Sequence, residues 1–265
     1  MPIVLMSGDA DIMERESVER NERWTRIGEI TRSLNTEFAK LNDLYVPSKD
    51  IMEGLAVPKE LEDILGKVTV EQRKVEERVY LMLAAINTIT TEIAGYLKSL
   101  NLPKALSFTQ IEYAAHIVVL NYQPWLSSHK EVIQPLNGDS ELIGKYIFDV
   151  APKDFGLQGL QDGATLLSRD GMILGVKDRI VSNERYAHDD GNYESRTHRG
   201  FKTDVGTRHY AALDASLEMD GTVVYVTSGE RPGELRRLQE GIITYSTIPG
   251  EAKKMHTPKD DVLSA

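Results

Sequence analysis

Between residues 11 and 45 the apolar positions recur at intervals of three and four. Trp24, Ile27, Ile30, Leu34, Phe38 and Leu41 make one stripe, and Glu and Arg fill the other faces. That period predicts an amphipathic helix, stopped at Val46-Pro47-Ser48, where the residue before a proline is pushed out of the helical region. Residues 1–10 read as a tail or a short strand, and 46–58 as a connector. A second, longer helix is expected to start at Pro58 or Thr69 and to run to Leu100. Along it Val68, Val75, Met82, Ile89 and Tyr96 lie seven apart, and Val79, Ile86, Ile93 and Leu100 form a second such series offset by four. This is the a/d seam of a bundle or coiled coil. It fits packing against the first helix of the same chain, and equally an interface between subunits.

The pattern changes after residue 105 to short, β-branched runs. Residues 114–121 (AAHIVVLN) read as a buried strand in which His116 is a core residue. Ala164–Leu167, the turn Ser168-Arg169-Asp170-Gly171 and the run 172–176 read as a hairpin. Residues 221–230 read as a strand ending in a small polar turn, 232–240 as a short charged helix, and 242–246 as a closing strand. Residues 122–140 look irregular, 141–150 helical, and 250–265 frayed. Strands alternating with helices predict an α/β fold with a mixed sheet flanked by helices. The expected organisation is a helical region at 1–100, a sheet domain at 101–250 and a tail at 251–265.

Composition narrows the function. A formal net charge of −10 argues against general binding of nucleic acid or anionic membrane, since both need a basic face. A nucleotide needs only a local cationic patch. With no cysteine in the chain, disulfides, thiolate catalysis and thiolate-ligated zinc are excluded. No apolar run approaches a membrane span, so a cytoplasmic location is expected. The polar stretch 182–205 reads as a loop or lid. Its His188, Asp189, Asp190 and His198 match no helical or hairpin ligand spacing and are assigned to solvent rather than to a metal.

Three short motifs carry candidate chemistry. In Gly206-Thr207-Arg208-His209, followed by the helix formers Ala211, Ala212, Leu213 and Ala215, Thr207 reads as an N-cap and Gly206 as a bend. Arg208 and His209 then lie at a helix N-terminus, which attracts anions. A solvated surface turn accounts for the same residues. Asp162-Gly163-Ala164 puts a carboxylate at a strand entrance beside a glycine, and Ser228-Gly229-Glu230 ends a strand with a hydroxyl and a carboxylate.

These motifs, in this order, resemble the diadenylate cyclase domain of the DNA-integrity-scanning proteins and their relatives, over roughly residues 105 to 250. The resemblance implies an α/β domain that makes cyclic di-AMP from two ATP, with a divalent cation, Mg²⁺ or Mn²⁺. It implies catalytic roles for Asp162, Arg208 and His209, and nucleotide contacts from Gly163, Ala164, Ile180, Thr207, Tyr210, Ala211 and Ser228. It also implies metal contacts from Asp162, His209 and Glu230. The partners implied are ATP and a second copy of the chain, because two nucleotides must face each other. Two departures stand out. Tyr210 occupies the place of the family motif's last arginine, and the segment between the first two motifs is long. Arg179, Arg185, Arg196, Arg199 or Lys202 could supply the missing cation. A nucleotide sensor without turnover, and a helical oligomerisation or adaptor protein, are the alternatives.

Overall fold

The computed structural model describes residues 54–99, 115–136, 140–152, 163–181, 200–202, 205–228 and 233–251, together with Met52, Asp154, Phe155 and Arg231. The chain divides into two compact units, Met1–Val46 and Pro47–Ala265. The described residues all belong to the second. The helix expected at 11–45 lies outside them, as do the loop 182–199 and the tail from 252.

Seven strands form one mixed sheet. In chain order the elements are α1 (Lys59–Leu65), α2 (Val70–Ser99), β1 (Ile117–Leu120), α3 (Ser127–Val132), β2 (Ile133–Gln134), β3 (Ala164–Leu167), β4 (Ile173–Ile180), α4 (Thr207–Glu218), β5 (Val223–Thr227), β6 (Leu235–Gln239) and β7 (Ile242–Ser246). The strand order is β2-β4-β3-β1-β5-β6-β7. Only β1 and β3 run parallel; every other neighbouring pair is antiparallel.

The period-2 alternation of the strands divides the core into two layers. Val118, Leu120, Val223, Tyr225 and Leu235 face α1 and α2, where Leu61, Leu65, Val75, Val79, Met82 and Ile86 meet them. Ile117, Val119, Val224, Val226 and Leu238 face α4 through Ala212, Leu213, Ala215 and Met219. The central part of the seven-residue series is therefore buried. Val75, Val79, Met82, Ile86 and Ile89 are all buried, and the first four pack into the core that the sheet shares. Helices α1 and α2 share the sheet's core, and the compact unit that holds them begins at Pro47.

Three local expectations are corrected. Residues 122–140, expected to be irregular, contain α3 and β2. Residues 141–150 form turns and a 3-10 turn at Ile147–Asp149 instead of an α-helix. Their backbone groups are spent on the β3–β4 hairpin: Gly144 N–H donates to Ile173 O, Ile147 N–H to Gly171 O, and Lys145 O accepts from Ile173 N–H. Arg78 of α2 also donates to the carbonyls of Ile147 and Val150. The charged stretch at 232–240 is not a helix but contains β6. Its side chains alternate between the layers, so Arg236 faces α4 and Arg237 faces α2.

Candidate functional site

One row of residues runs across the sheet beneath the N-terminus of α4. The strand registers pair Asp178 with Ala164, Ala164 with Ile117, Ile117 with Val226, Val226 with Arg236, and Arg236 with Ser246. From Ala164 to Arg236 is three strand spacings, about 14 Å. Ala164, Ile117 and Val226 belong to the apolar layer that α4 covers.

Two of the three motifs, as far as they are described, meet this row directly. Gly163-Ala164 opens β3. His209, in the first turn of α4, lies 2.9 Å from Arg236 Nη1. Ser228 follows β5 at the same end of the sheet. Its N–H donates to Glu234 O, and its Oγ accepts from Arg231 N–H. Hydrogen bonds in both directions between Thr227 and His116 close that end of β5 onto β1. Ile180, at the far end of β4, pairs with Ile133 and packs at the edge of the same apolar layer. Asp162, Gly229 and Glu230 lie outside the described residues.

Gly163 is required by close approach. Its φ is +151°, and a Cβ there would stand 2.5 Å from the backbone of Lys177, itself at φ +65°. Gly206 is not required: its φ is −75° and an added Cβ would meet nothing within 4 Å. It is Gly206, not Thr207, that caps α4. Thr207 is the first helical residue, and no side chain caps the helix. Thr207 is exposed, Arg208 and Ala211 are half-buried, and Tyr210 is half-buried with its ring edge-on to Phe201. Tyr210 thus packs into the apolar layer. Of the cations considered as substitutes, Arg179 and Lys202 are exposed, and Arg185, Arg196 and Arg199 fall outside the described residues.

His209 is buried, with 4% of its surface exposed. Burial pushes its imidazole down to a pKa of about 3, and the charges of Arg236, Arg231 and Arg208 add to the effect. Nε2 faces a guanidinium, which has only donors, so that nitrogen is not open to a metal. Among the described residues no three His, Cys, Asp or Glu side chains gather as a metal site.

The consequence for stability has a definite sign. The unfolded chain takes up a proton near pH 6.5, whereas the folded chain resists until about pH 3. The native state is therefore penalised as the pH falls below 6.5, by up to about 1.4 kcal/mol per unit. Chemical unfolding at pH 7 and pH 4.5 should show a loss of about 2–3 kcal/mol from this group. A His209→Gln variant should lose less over the same interval, and an equal loss in both proteins would remove His209 as the cause.

The other two described histidines, His129 and His116, are core residues. His129 accepts from Gln123 N–H at Nδ1 and contacts Asp220 O through Nε2. His116 stacks on Phe155. The residues that sequence reasoning missed are Glu76, Arg236, Arg237 and Glu251, all buried and charged. The available signal was Glu240-Gly241, a two-residue turn with φ of +54° and +70°, which marks a hairpin.

No family model matches the sequence, and no curated protein matches it. Among solved structures the chain is similar to that of a hypothetical membrane-spanning protein from Bacillus cereus. The identity is 19%, the match covers 80% of this chain and 98% of that one, and the TM-score is 0.35. A likeness of that size carries no inference about function. No helix among the described residues is long and apolar enough to cross a membrane.

Proposed function

We propose that this chain is a diadenylate cyclase. The 3′-hydroxyl oxygen of one ATP attacks the α-phosphorus of another, the bond to the β-phosphate oxygen breaks, and pyrophosphate leaves with the bonding pair. A second, reciprocal transfer closes cyclic di-AMP and releases a second pyrophosphate. The observation that carries this reading is the row joining Gly163-Ala164 to Arg236, with His209 above it and Ser228 at the same end of the sheet.

Such a transfer depends on position and charge more than on covalent chemistry. Arg208 and the first turn of α4, which no side chain caps, suit the phosphates: a forked donor and a helix N-terminus favour an anion. Thr207 is exposed beside them. Gly163 allows the nucleotide to approach the backbone, with Ala164, Ala211 and Ile180 as apolar contacts. Asp162 orients the 3′-hydroxyl and accepts its proton. A divalent cation, Mg²⁺ or Mn²⁺, neutralises phosphate charge when bound. Asp162 and Glu230 are its candidate protein ligands, and His209 is not one at Nε2. Two such sites must face each other, so a second copy of the chain completes the reaction.

Tyr210 favours a second reading, a nucleotide sensor with little turnover. Its ring is committed to Phe201, and a neutral hydroxyl in place of a cation costs about 1–2 kcal/mol of phosphate binding. One experiment separates the two. Purified protein is incubated with ATP and Mg²⁺ or Mn²⁺ over a range of protein concentrations, and cyclic di-AMP and pyrophosphate are measured. The cyclase reading expects product, specific activity that rises with self-association, and its loss in Asp162→Asn. ATP binding without product identifies the sensor, and neither binding nor product rejects both.

A further inference from the structure

Arg236 is wholly buried and is held from three sides. Its Nε donates to Glu251 Oε2 at 2.9 Å and its Nη2 to Glu251 Oε1 at 3.0 Å. Both Nη atoms reach Glu234 Oε2 at 3.3 Å. Nη1 meets His209 Nε2 at 2.9 Å. The Phe201 ring lies 5.3 Å from Cζ and stands edge-on to the His209 ring. Glu251 is fixed in turn by Ser246 Oγ and by the N–H of Lys202.

A guanidinium has no lone pair to offer. The contact at Nε2 is therefore a hydrogen bond from Arg236 to the imidazole, and the ring's proton resides on Nδ1. The surroundings hold this state. Arg208, Arg231 and Arg236 all oppose a second proton on the ring, and the nearby carboxylates of Glu234 and Glu251 are spent on Arg236. Being buried and doubly paired with carboxylate, Arg236 has no free face for a phosphate. It is not a stand-in for the arginine that Tyr210 replaces.

We infer that Arg236 is a positioning residue for the proposed site. It holds His209 as the neutral Nδ1–H tautomer, so that the ring is a fixed hydrogen-bond donor and neither a general base nor a metal ligand at Nε2. Through Glu251 it also ties the first turn of α4 to the strand end at Ser246 and to Lys202 at the exit of the long loop. The kinetic arm of the test rests on the cyclase reading; the spectroscopic arm does not.

The test uses the full chain with ¹⁵N-labelled histidine, the His209 signals being assigned by their loss in His209→Gln. Long-range ¹H–¹⁵N spectra should show Nδ1 protonated and Nε2 bare, with no titration between about pH 5 and 8. In Arg236→Lys, and in Arg236→Met/Glu251→Met, which leaves no orphan charge, the ring should exchange between tautomers. In the same variants kcat for cyclic di-AMP should fall about tenfold or more, with KM for ATP changed less than about threefold. A wild-type ring protonated at Nε2, or one that titrates near neutrality, overturns the inference. So does an unchanged tautomer and kcat in the folded variants. Wild-type protein that makes no product but shows the Nδ1–H ring leaves Arg236 in its role and removes the cyclase reading.

Discussion

Arg237→Met should lower the unfolding free energy by about 3–5 kcal/mol, the cost of leaving one buried charge without its partner. Arg237 and Glu76 are both fully buried and join β6 to α2. Arg237 Nε donates to Glu76 Oε2 at 2.7 Å, and Nη2 to Oε1 at 3.2 Å. Nη1 serves Gln239 and Thr244. Glu76 also accepts from Gln72 and from the Tyr225 hydroxyl. Burial and the Glu76 charge hold that hydroxyl protonated, well above the usual phenol range. Removing Arg237 alone leaves a carboxylate sealed between a helix and a sheet. Removing the whole set should cost far less: Glu76→Leu/Arg237→Met/Tyr225→Phe is expected within about 1 kcal/mol of wild type, since apolar replacement of a buried pair is often neutral or better. Urea unfolding of the three proteins decides this. A single variant within about 1 kcal/mol of wild type would show that the carboxylate finds water or protonates cheaply.

The same strand shows why part of the fold was legible in the sequence and part was not. Short apolar runs such as Ile117–Leu120 and Val223–Thr227 announce buried strands, because a fully covered strand has no polar face to hide it. The seven-residue series on α2 announced a long helix with a buried stripe. It did not say what covers the stripe, since a sheet and a second helix both accept it. Leu235–Gln239 (LRRLQ) failed for the opposite reason. Two arginines in five residues look solvated, and Glu76 and Glu251, with Glu234 beside Arg236, make their burial affordable. Neither Glu76 nor Glu251 is marked by a helical or strand spacing from its arginine, Glu76 lying 161 residues away and Glu251 15. At the candidate site the motifs marked segments at the opening of β3, in the first turn of α4 and after β5, but not what lies beneath them. His209 was read as a phosphate or metal contact, whereas its Nε2 is turned toward Arg236.

The two motif glycines should respond very differently to alanine, and Gly163→Ala is the damaging one. The new Cβ would lie 2.5 Å from the carbonyl carbon and oxygen of Lys177 and 2.6 Å from its Cα. These are backbone atoms that cannot swing aside. The residue must also keep φ near +151°, where side chains are strained. Strain and overpacking each cost about 1–3 kcal/mol, so a loss of about 2–5 kcal/mol is expected. The pairing of β3 with β4 is irregular between Ala164 and Leu166, and the bend that brings Gly163 against Lys177 lies beside it. Relief of the clash would therefore shift the strand entrance next to Asp162, and on the cyclase proposal product formation should fall with stability. Gly206→Ala meets open space at an ordinary φ. It should change stability by less than about 1 kcal/mol, the scale of a helix-cap exchange. Melting temperature and cyclic di-AMP yield, measured side by side for the two variants, test the contrast. Equal tolerance of both substitutions would mean that the Gly163–Lys177 approach opens without cost, and the strand entrance would then have no fixed position from which Asp162 could act.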